Sequence, residues 1–395
     1  MKINTDPQKI EQLLTRGVEQ IVDKAHLEAA LKSGKKLRIK LGTDPTSPNI
    51  HIGRAVTLLK MRDFQELGHQ LALIVGDFTG VIGDTSDKDS ERPMLTHAQV
   101  EANMQGYFEQ AAKIIDIREC EKYYNSEWLG KLNYHEIGEQ ADQFSIAEFI
   151  ARENIKKRLD GGTRVSLREV LYPLMQGYDS VAIKADVELG GTDQWFNLLA
   201  GRKLQEFYKQ EPQDIIVGPL LEGTDGRKMS SSWGNTINLM AEPNDMFGKV
   251  MSIADSLIVK YFTLATRLPM EEVNQYEAEL KQGKNPRDLK MKLAHEITRI
   301  YNGLSVADKA QEYFISTFSK KEMPDEMPEI KPSVYDIATV LVESEICKSK
   351  SEARQVIDQG GVKINDTKIQ SGNYVALVKA GDIVQKGSRW FVKVK

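Results

Sequence analysis

Two extended runs flanking one amphipathic stretch constrain this chain most. Leu37-Arg38-Ile39-Lys40-Leu41-Gly42 alternates apolar and polar residues like a strand, and the Asp-Pro-Thr that follows has turn and helix-start chemistry. A helix is predicted from about Ile50 to Leu67, stopped by Gly68. Leu71-Ala72-Leu73-Ile74-Val75-Gly76 then reads as a continuous apolar run of the kind that forms a buried parallel strand. Strand, helix and strand within some forty residues make a βαβ unit, so an α/β fold with a parallel sheet is expected.

Further strands are predicted at Val187-Glu188-Leu189-Gly190 and Ile215-Ile216-Val217-Gly218, each ending in glycine. Ligands of such sheets bind beyond the carboxyl ends of the strands. Residues 1–235 are therefore expected to form a nucleotide-binding domain, with a helical insertion at about 95–178 of the type that carries oligomer contacts. A separate amphipathic helical domain is expected at 236–318. Three prolines among alternating charges suit an exposed linker at 319–333. A small module follows at 334–395, with two short helical segments and several short strands.

The 395 residues suffice for two or three domains, and 41% hydrophobic content suffices for a real core. The first thirty residues are polar and charged, and no run approaches the roughly 20 apolar residues of a membrane span, so a soluble cytoplasmic protein is expected. Cys120 and Cys347 form neither a disulfide framework nor a metal motif and read as buried thiols. The net charge of −4 argues against indiscriminate nucleic-acid coating, yet it hides a local patch. From Ile346 to Lys395 ten Lys/Arg stand against four acids, a balance of +6, which leaves −10 for the rest.

Two distant segments carry chemistry. In Gly42-Thr43-Asp44-Pro45-Thr46-Ser47-Pro48-Asn49-Ile50-His51, the prolines fix the approach to a helix and His51 falls in its first turn. A helix N-terminus favours phosphate, and an imidazole there can donate to a phosphate oxygen as charge builds on it. Taken alone, the same residues suit a capping turn with a surface histidine. The second segment, 177 residues after His51, is Lys228-Met229-Ser230-Ser231-Ser232 in a glycine-framed, hydroxyl-rich loop. Such a loop can close over a pyrophosphate, Lys228 giving the point charge, although a bare Lys-Met-Ser is also ordinary solvated loop. Together the segments describe a site that holds a nucleotide triphosphate from two sides.

With Tyr172-Pro173-Leu174-Met175-Gln176-Gly177-Tyr178-Asp179 and Gly190-Gly191-Thr192-Asp193-Gln194-Trp195 added, essentially the whole chain resembles the bacterial tyrosyl-tRNA synthetases, class I aminoacyl-tRNA synthetases. Lys350-Ser351-Glu352-Ala353-Arg354 and Gly360-Gly361-Val362-Lys363-Ile364-Asn365 resemble an S4-type RNA-binding domain. The resemblance implies a Rossmann-like catalytic domain that joins L-tyrosine to tRNA(Tyr), with ATP as substrate, Mg2+ accompanying it, and a homodimer formed through the insertion. It implies that Tyr172, Gln176 and Asp84 share the substrate ammonium, that Asp179 bonds the phenol, and that Gln194 meets the carboxyl end. Asp193 would take the ribose hydroxyls, and Gly42, Asp44 and Gly191 would frame the adenosine. Thr46, Thr57, Ser231 and Ser232 would serve the phosphates, joined by the loop cations Lys88 and Arg92. Lys348, Lys350 and Arg354 at helical spacing would meet RNA phosphates, the alternative being a basic structural appendage.

The sequence departs from the family pattern at three places. Arg54 stands where a second histidine is usual, and Ser231 where a second lysine is usual. Lys40 occupies the strand position at which many relatives place a pocket tyrosine, so the resemblance implies a place for it among the tyrosine-binding residues. Two competing readings remain. One is a tryptophanyl enzyme, opposed by Tyr172 and Asp179; the other is a non-catalytic RNA-binding protein on the same scaffold.

Overall fold

The computed structural model describes residues 2–84, 94–319, 327–387 and 390–395. Lys88 and Arg92, expected at the site, lie outside the described residues. The chain divides into two compact units, Met1–Ala307 and Asp308–Lys395.

The first unit is built on a six-stranded sheet of β1 (Gln20–Val22), β2 (Arg38–Thr43), β3 (Gln70–Val75), β4 (Cys120–Tyr124), β5 (Val187–Gly191) and β6 (Asp214–Gly218), in the order β1-β6-β5-β2-β3-β4. Only β1 runs antiparallel to its neighbour. The helix between β2 and β3, Ile52–Glu66, buries Ile52, Ala55, Leu58, Leu59, Met61 and Phe64. It ends where expected: Gly68 takes φ +94°, a left-handed conformation that halts a helix and suits glycine. The Leu167–Ile183 helix starts in a capping box, Ser166 receiving a backbone N–H while Glu169 answers it, and packs along the Trp195–Phe207 helix.

One sequence expectation changes. The stretch 95–178 is not wholly helical, because Cys120–Tyr124 pairs with β3 as the sheet's edge strand. Glu121 and Lys122 sit at this edge, where charge is tolerated, so no apolar run announces the strand. In β2, Ile39, Lys40 and Leu41 are all buried despite the alternation, since the parallel sheet is covered on both faces. The helices that follow the sheet, Pro243–Met251, Ile258–Ala265, Met270–Lys281 and Pro286–Asn302, lie in the same unit as the sheet. Arg16, next to β1, fastens them by donating to the carbonyls of Phe262, Thr263, Thr266 and Leu268.

The second unit has its own core of Ile337, Val340, Leu341, Ala353, Ile357, Val362, Val384 and Val392. Its strands β7 (Glu329–Ile330), β8 (Val362–Ile364), β9 (Thr367–Lys368), β10 (Ile383–Lys386) and β11 (Trp390–Val394) order as β7-β11-β10-β8-β9, beside helices Ile337–Glu343 and Lys350–Asp358. Lys348, Lys350 and Arg354 are exposed, and Arg354 lies 5.5 Å from the Tyr374 ring centre. Among the described residues no helix is long and apolar enough to cross a membrane.

Candidate active site

Beyond the carboxyl ends of β2, β3, β5 and β6 lies a cavity of about 490 Å³. Its lining includes Gly42, Asp44, Thr46, His51, Arg54, Thr57, Asp84, Tyr172, Gln176, Asp179, Gly191, Asp193, Gln194, Lys228, Ser231 and Ser232.

His51 is the N-cap of the Ile52–Glu66 helix, one residue ahead of its expected place in the first turn. Its Nδ1 accepts the Arg54 N–H at 3.3 Å, which leaves the ring proton on Nε2. Burial, with Arg54 and Lys228 nearby, pushes its pKa down to about 3. His51 is thus a neutral donor near pH 7, and its Nε2–H is not needed by the helix cap. Arg54 braces the loop before that helix, donating to the Asp44 carbonyl (3.2 Å), Tyr107 Oη (3.1 Å) and Thr46 Oγ1 (2.9 Å). Tyr107 Oη in turn donates to the Ser47 carbonyl at 2.7 Å.

The two distant segments meet. Ser47 Oγ and Ser231 Oγ are 3.1 Å apart, Gly53 N–H reaches Met229 Sδ at 3.3 Å, and Ile52 N–H donates to the Ile237 carbonyl at 2.8 Å. Buried Asn235 shapes the lysine loop by donating to Asp225 Oδ1 (2.7 Å) and the Lys228 carbonyl (3.1 Å), while accepting the Ser230 N–H (2.9 Å). Lys228 Nζ lies 3.0 Å from Asp193 Oδ2.

At the other end, Tyr172, Gln176 and Asp179 share one face of the Leu167–Ile183 helix, as spacings of four and three dictate. Asp179 accepts from Trp128 Nε1 at 2.7 Å and from Asn125 Nδ2 at 3.3 Å. Gln194 Nε2 donates to Asp84 Oδ2 at 2.7 Å, and Asn197 Nδ2 donates to both Gln176 and Gln194, at 3.1 Å each. A continuous chain joins the two ends of the cavity. Tyr172 Oη donates to Asp44 Oδ2 (2.8 Å), Thr79 Oγ1 to Asp44 Oδ1 (2.7 Å), and Asn125 Nδ2 to both Thr79 Oγ1 (2.9 Å) and Asp179. Gly76 borders this chain: a Cβ there would stand 2.2 Å from Asp44 Oδ1 and 2.3 Å from Thr79 Oγ1.

Lys40 does not line the cavity and is fully buried behind its wall, which removes it from contact with a bound substrate. Thr79, Asn125, Trp128, Glu188 and Asn197 were missed as site residues. Asn197, three residues after Gln194, had a local signal; Asn125 and Trp128 follow the unrecognised edge strand and had none.

Burial raises the Asp179 carboxyl to about 7, against the opposing pull of Lys40, Trp128 and Asn125. Between about pH 4 and 7 the folded protein holds a proton that the unfolded chain releases, so this group's contribution to stability falls as pH rises through that window. Asp179→Asn should therefore be more stable than the parent at pH 8, by roughly 1–2 kcal/mol, with the gap closing near pH 4. Denaturant titrations at both pH values measure it, and a gap that widens toward acid would contradict it.

A parallel sheet whose carboxyl ends meet a neutral helix-cap histidine and a lysine loop defines a nucleotide-binding α/β enzyme. Residues 32–319 match the family model for class I tRNA synthetases (W and Y), and residues 318–386 match the tyrosine–tRNA ligase SYY-like C-terminal domain. The tyrosine–tRNA ligase of Thermotoga maritima is 45% identical over 391 residues, 98% of each chain, and that of Carboxydothermus hydrogenoformans is 45% identical over 397 residues, 97% of each. Among solved structures, the Archaeoglobus fulgidus tyrosyl-tRNA synthetase complexed with L-tyrosine matches in fold. Its TM-score is 0.62 at 21% identity, covering 77% of this chain and 99% of that one. A C-terminally truncated mitochondrial tyrosyl-tRNA synthetase from Aspergillus nidulans gives 0.65 at 22% identity, covering 77% and 92%. The chain belongs to the class I tRNA synthetases of the tryptophan and tyrosine family and, within it, to the tyrosine–tRNA ligases.

Proposed function

We propose that the chain activates L-tyrosine with ATP, giving tyrosyl-adenylate and pyrophosphate, and then transfers the tyrosyl group to the 3′ end of tRNA(Tyr). The reading rests on one observation: a single cavity has a buried carboxylate, Asp179, at one end and His51 with Lys228 at the other. The tyrosine phenol donates to Asp179, the ammonium meets Asp84, Tyr172 and Gln176, and Gln194 turns the carboxylate toward ATP. That carboxylate attacks the α-phosphorus, and the bond to the leaving pyrophosphate breaks. No protein nucleophile takes part; positioning and charge carry the reaction. His51 Nε2–H donates to a phosphate oxygen as it gains charge, while Gly42, Asp44 and Gly191 frame the adenosine, Thr46, Thr57, Ser231 and Ser232 hold the phosphate side, and Arg54 lines that side while bracing the loop that carries Thr46. Asp193, 3.0 Å from Lys228 Nζ, takes the ribose hydroxyls, and Lys228 meets the pyrophosphate beside it. Lys88 and Arg92 join it there in this reading.

Among the described residues, no three His, Cys, Asp or Glu side chains converge as metal ligands. Mg2+ would therefore arrive as the counter-ion of the triphosphate. The reaction belongs in the cytoplasm, where ATP and tRNA meet. Tyr134, Ile146 and Leu167, in the insertion and at its end, expose large apolar side chains to solvent, which suits a homodimer contact there. Sedimentation of the intact protein would give twice the chain mass.

Pyrophosphate exchange tests the reading. Exchange is expected with tyrosine and not with tryptophan or phenylalanine; exchange driven by tryptophan would overturn it, and RNA binding without any exchange would favour a non-catalytic scaffold. The exposed Lys348, Lys350 and Arg354 support RNA binding by the second unit. Truncation after Pro332 should leave exchange within about two-fold and lower tRNA charging by about ten-fold or more, as lost phosphate contacts would. Equal charging by the truncated protein would refute that role.

A further inference from the structure

At the wall of the cavity lies an ion pair that the mechanism above does not use: Glu188 is part of the lining and Lys40 stands behind it. Lys40 on β2 and Glu188 on β5 are register partners on adjacent strands. Both are fully buried, and Lys40 Nζ lies 2.8 Å from Glu188 Oε1. The lysine also donates to the Gln176 carbonyl at 2.9 Å and to Ser180 Oγ at 2.7 Å. Glu188 Oε2 accepts from Ser180 Oγ at 3.0 Å and from Gln213 Nε2. Room for this network is kept by Gly201 on the Trp195–Phe207 helix: a Cβ there would fall 2.6 Å from Gln213 Nε2 and 3.0 Å from Ser180 Oγ. A buried charge pair is a poor source of stability, because desolvation offsets the attraction, so its placement calls for another explanation.

Placement supplies one. Gln176 and Ser180 flank Asp179 on the pocket helix, so a lysine bonded to both fixes that turn of the helix against the sheet. The same strand β2 continues into Gly42 and Asp44, and β5 continues into Gly191 and Asp193, on the nucleotide side.

We propose that Lys40, held behind the pocket wall by its pair with the wall residue Glu188, is a positioning residue for the choice of a phenolic substrate, acting on Asp179 without touching the substrate. This rests on the reading of Asp179 as the partner of the phenol. Asp179 is faced by Lys40 from β2, Glu188 from β5, and Asn125 and Trp128 from the segment after β4, with Tyr172 on its own helix. Burial drives its carboxyl toward the protonated form, and among the groups opposing this Lys40 is foremost. A carboxylate accepts the phenol hydrogen bond more strongly than a carboxylic acid does. Lys40 therefore holds Asp179 in the form, and its helix in the position, that rewards a hydroxyl on the substrate ring.

The test uses the full-length protein with Lys40→Met, which keeps the volume and removes the charge, and Lys40→Met/Glu188→Gln, which leaves no orphan charge and covers the case in which the single variant does not fold. Asp179→Asn is run beside them. The readouts are the tyrosine-to-phenylalanine ratio of kcat/KM in pyrophosphate exchange, KM for ATP, and the pH dependence of KM for tyrosine. In both Lys40 variants the ratio should fall about ten-fold or more. The pH below which the tyrosine KM rises should move up by about a unit in Lys40→Met and by less in the double variant, which also loses the Glu188 charge that raises Asp179, with KM for ATP within about two-fold in both. Folded Lys40 variants with the parental ratio and pH profile, beside an Asp179→Asn whose ratio has collapsed, would overturn the role of Lys40 alone. An unchanged ratio in Asp179→Asn as well would remove the underlying reading of Asp179.

Discussion

Lys228→Ala is expected to slow tyrosyl-adenylate formation by about 10²–10³-fold while leaving tyrosine binding within about two-fold, because a preorganised charge acts on the separating pyrophosphate and not on the amino acid. The two effects should separate spatially: Lys228 pairs with Asp193, whereas the proposed tyrosine pocket is formed by Asp179 and Gln176. Rapid-quench single-turnover measurements with saturating ATP give the rate, and equilibrium dialysis gives the tyrosine affinity. Two departures from the family pattern sharpen the expectation. Ser231 offers a hydroxyl where a second lysine is usual, and it is already engaged with Ser47 at 3.1 Å. Arg54 spends its guanidinium on the Asp44-to-Ser47 loop. Among the described residues of the loop, Lys228 is thus the cation held at the mouth of the phosphate region. A single-turnover rate unchanged in the alanine variant would remove the loop from the chemistry.

Asp179→Ala should lower the preference for tyrosine over phenylalanine by about 10- to 150-fold, the equivalent of a charge-assisted hydrogen bond worth about 1.5–3 kcal/mol. Most of that loss should appear with tyrosine, since phenylalanine makes no bond to the carboxylate and gains when the unpaired charge is removed. Trp128 and Asn125 keep the carboxylate aimed by occupying one oxygen each, at 2.7 Å and 3.3 Å, and leave acceptor capacity for the phenol. Competitive exchange assays with both amino acids measure the ratio. A variant that discriminates as the parent does would place phenol recognition elsewhere.

The parts of the site that could be read from the sequence are those whose chemistry is local. Gly42 to His51 and Gly223 to Asn235 announce themselves by glycine, proline and hydroxyl content, and the four-and-three spacing of Tyr172, Gln176 and Asp179 fixes a helix face. What stayed hidden depends on pairing across the sheet. Cys120–Tyr124 is a strand because β3 offers it an edge, not because its residues alternate, and Asn125 and Trp128 reach Asp179 only through that pairing. Lys40, expected among the tyrosine-binding residues because it stands at a strand position where relatives place a pocket tyrosine, is instead drawn away from the cavity by Glu188, a carboxylate in register on the neighbouring strand that the sequence alone does not pair with it.

Gly76 carries a consequence for mutational tolerance. The bonded pair Asp44 and Thr79, which it faces, connects Tyr172 on one side with Asn125 and Asp179 on the other. Even a methyl group at Gly76 would meet both oxygens of that pair at 2.2–2.3 Å, so substitution would disturb nucleotide and amino-acid recognition together. In a saturation library selected for growth, this position should tolerate glycine alone, although it contacts neither substrate through a side chain of its own.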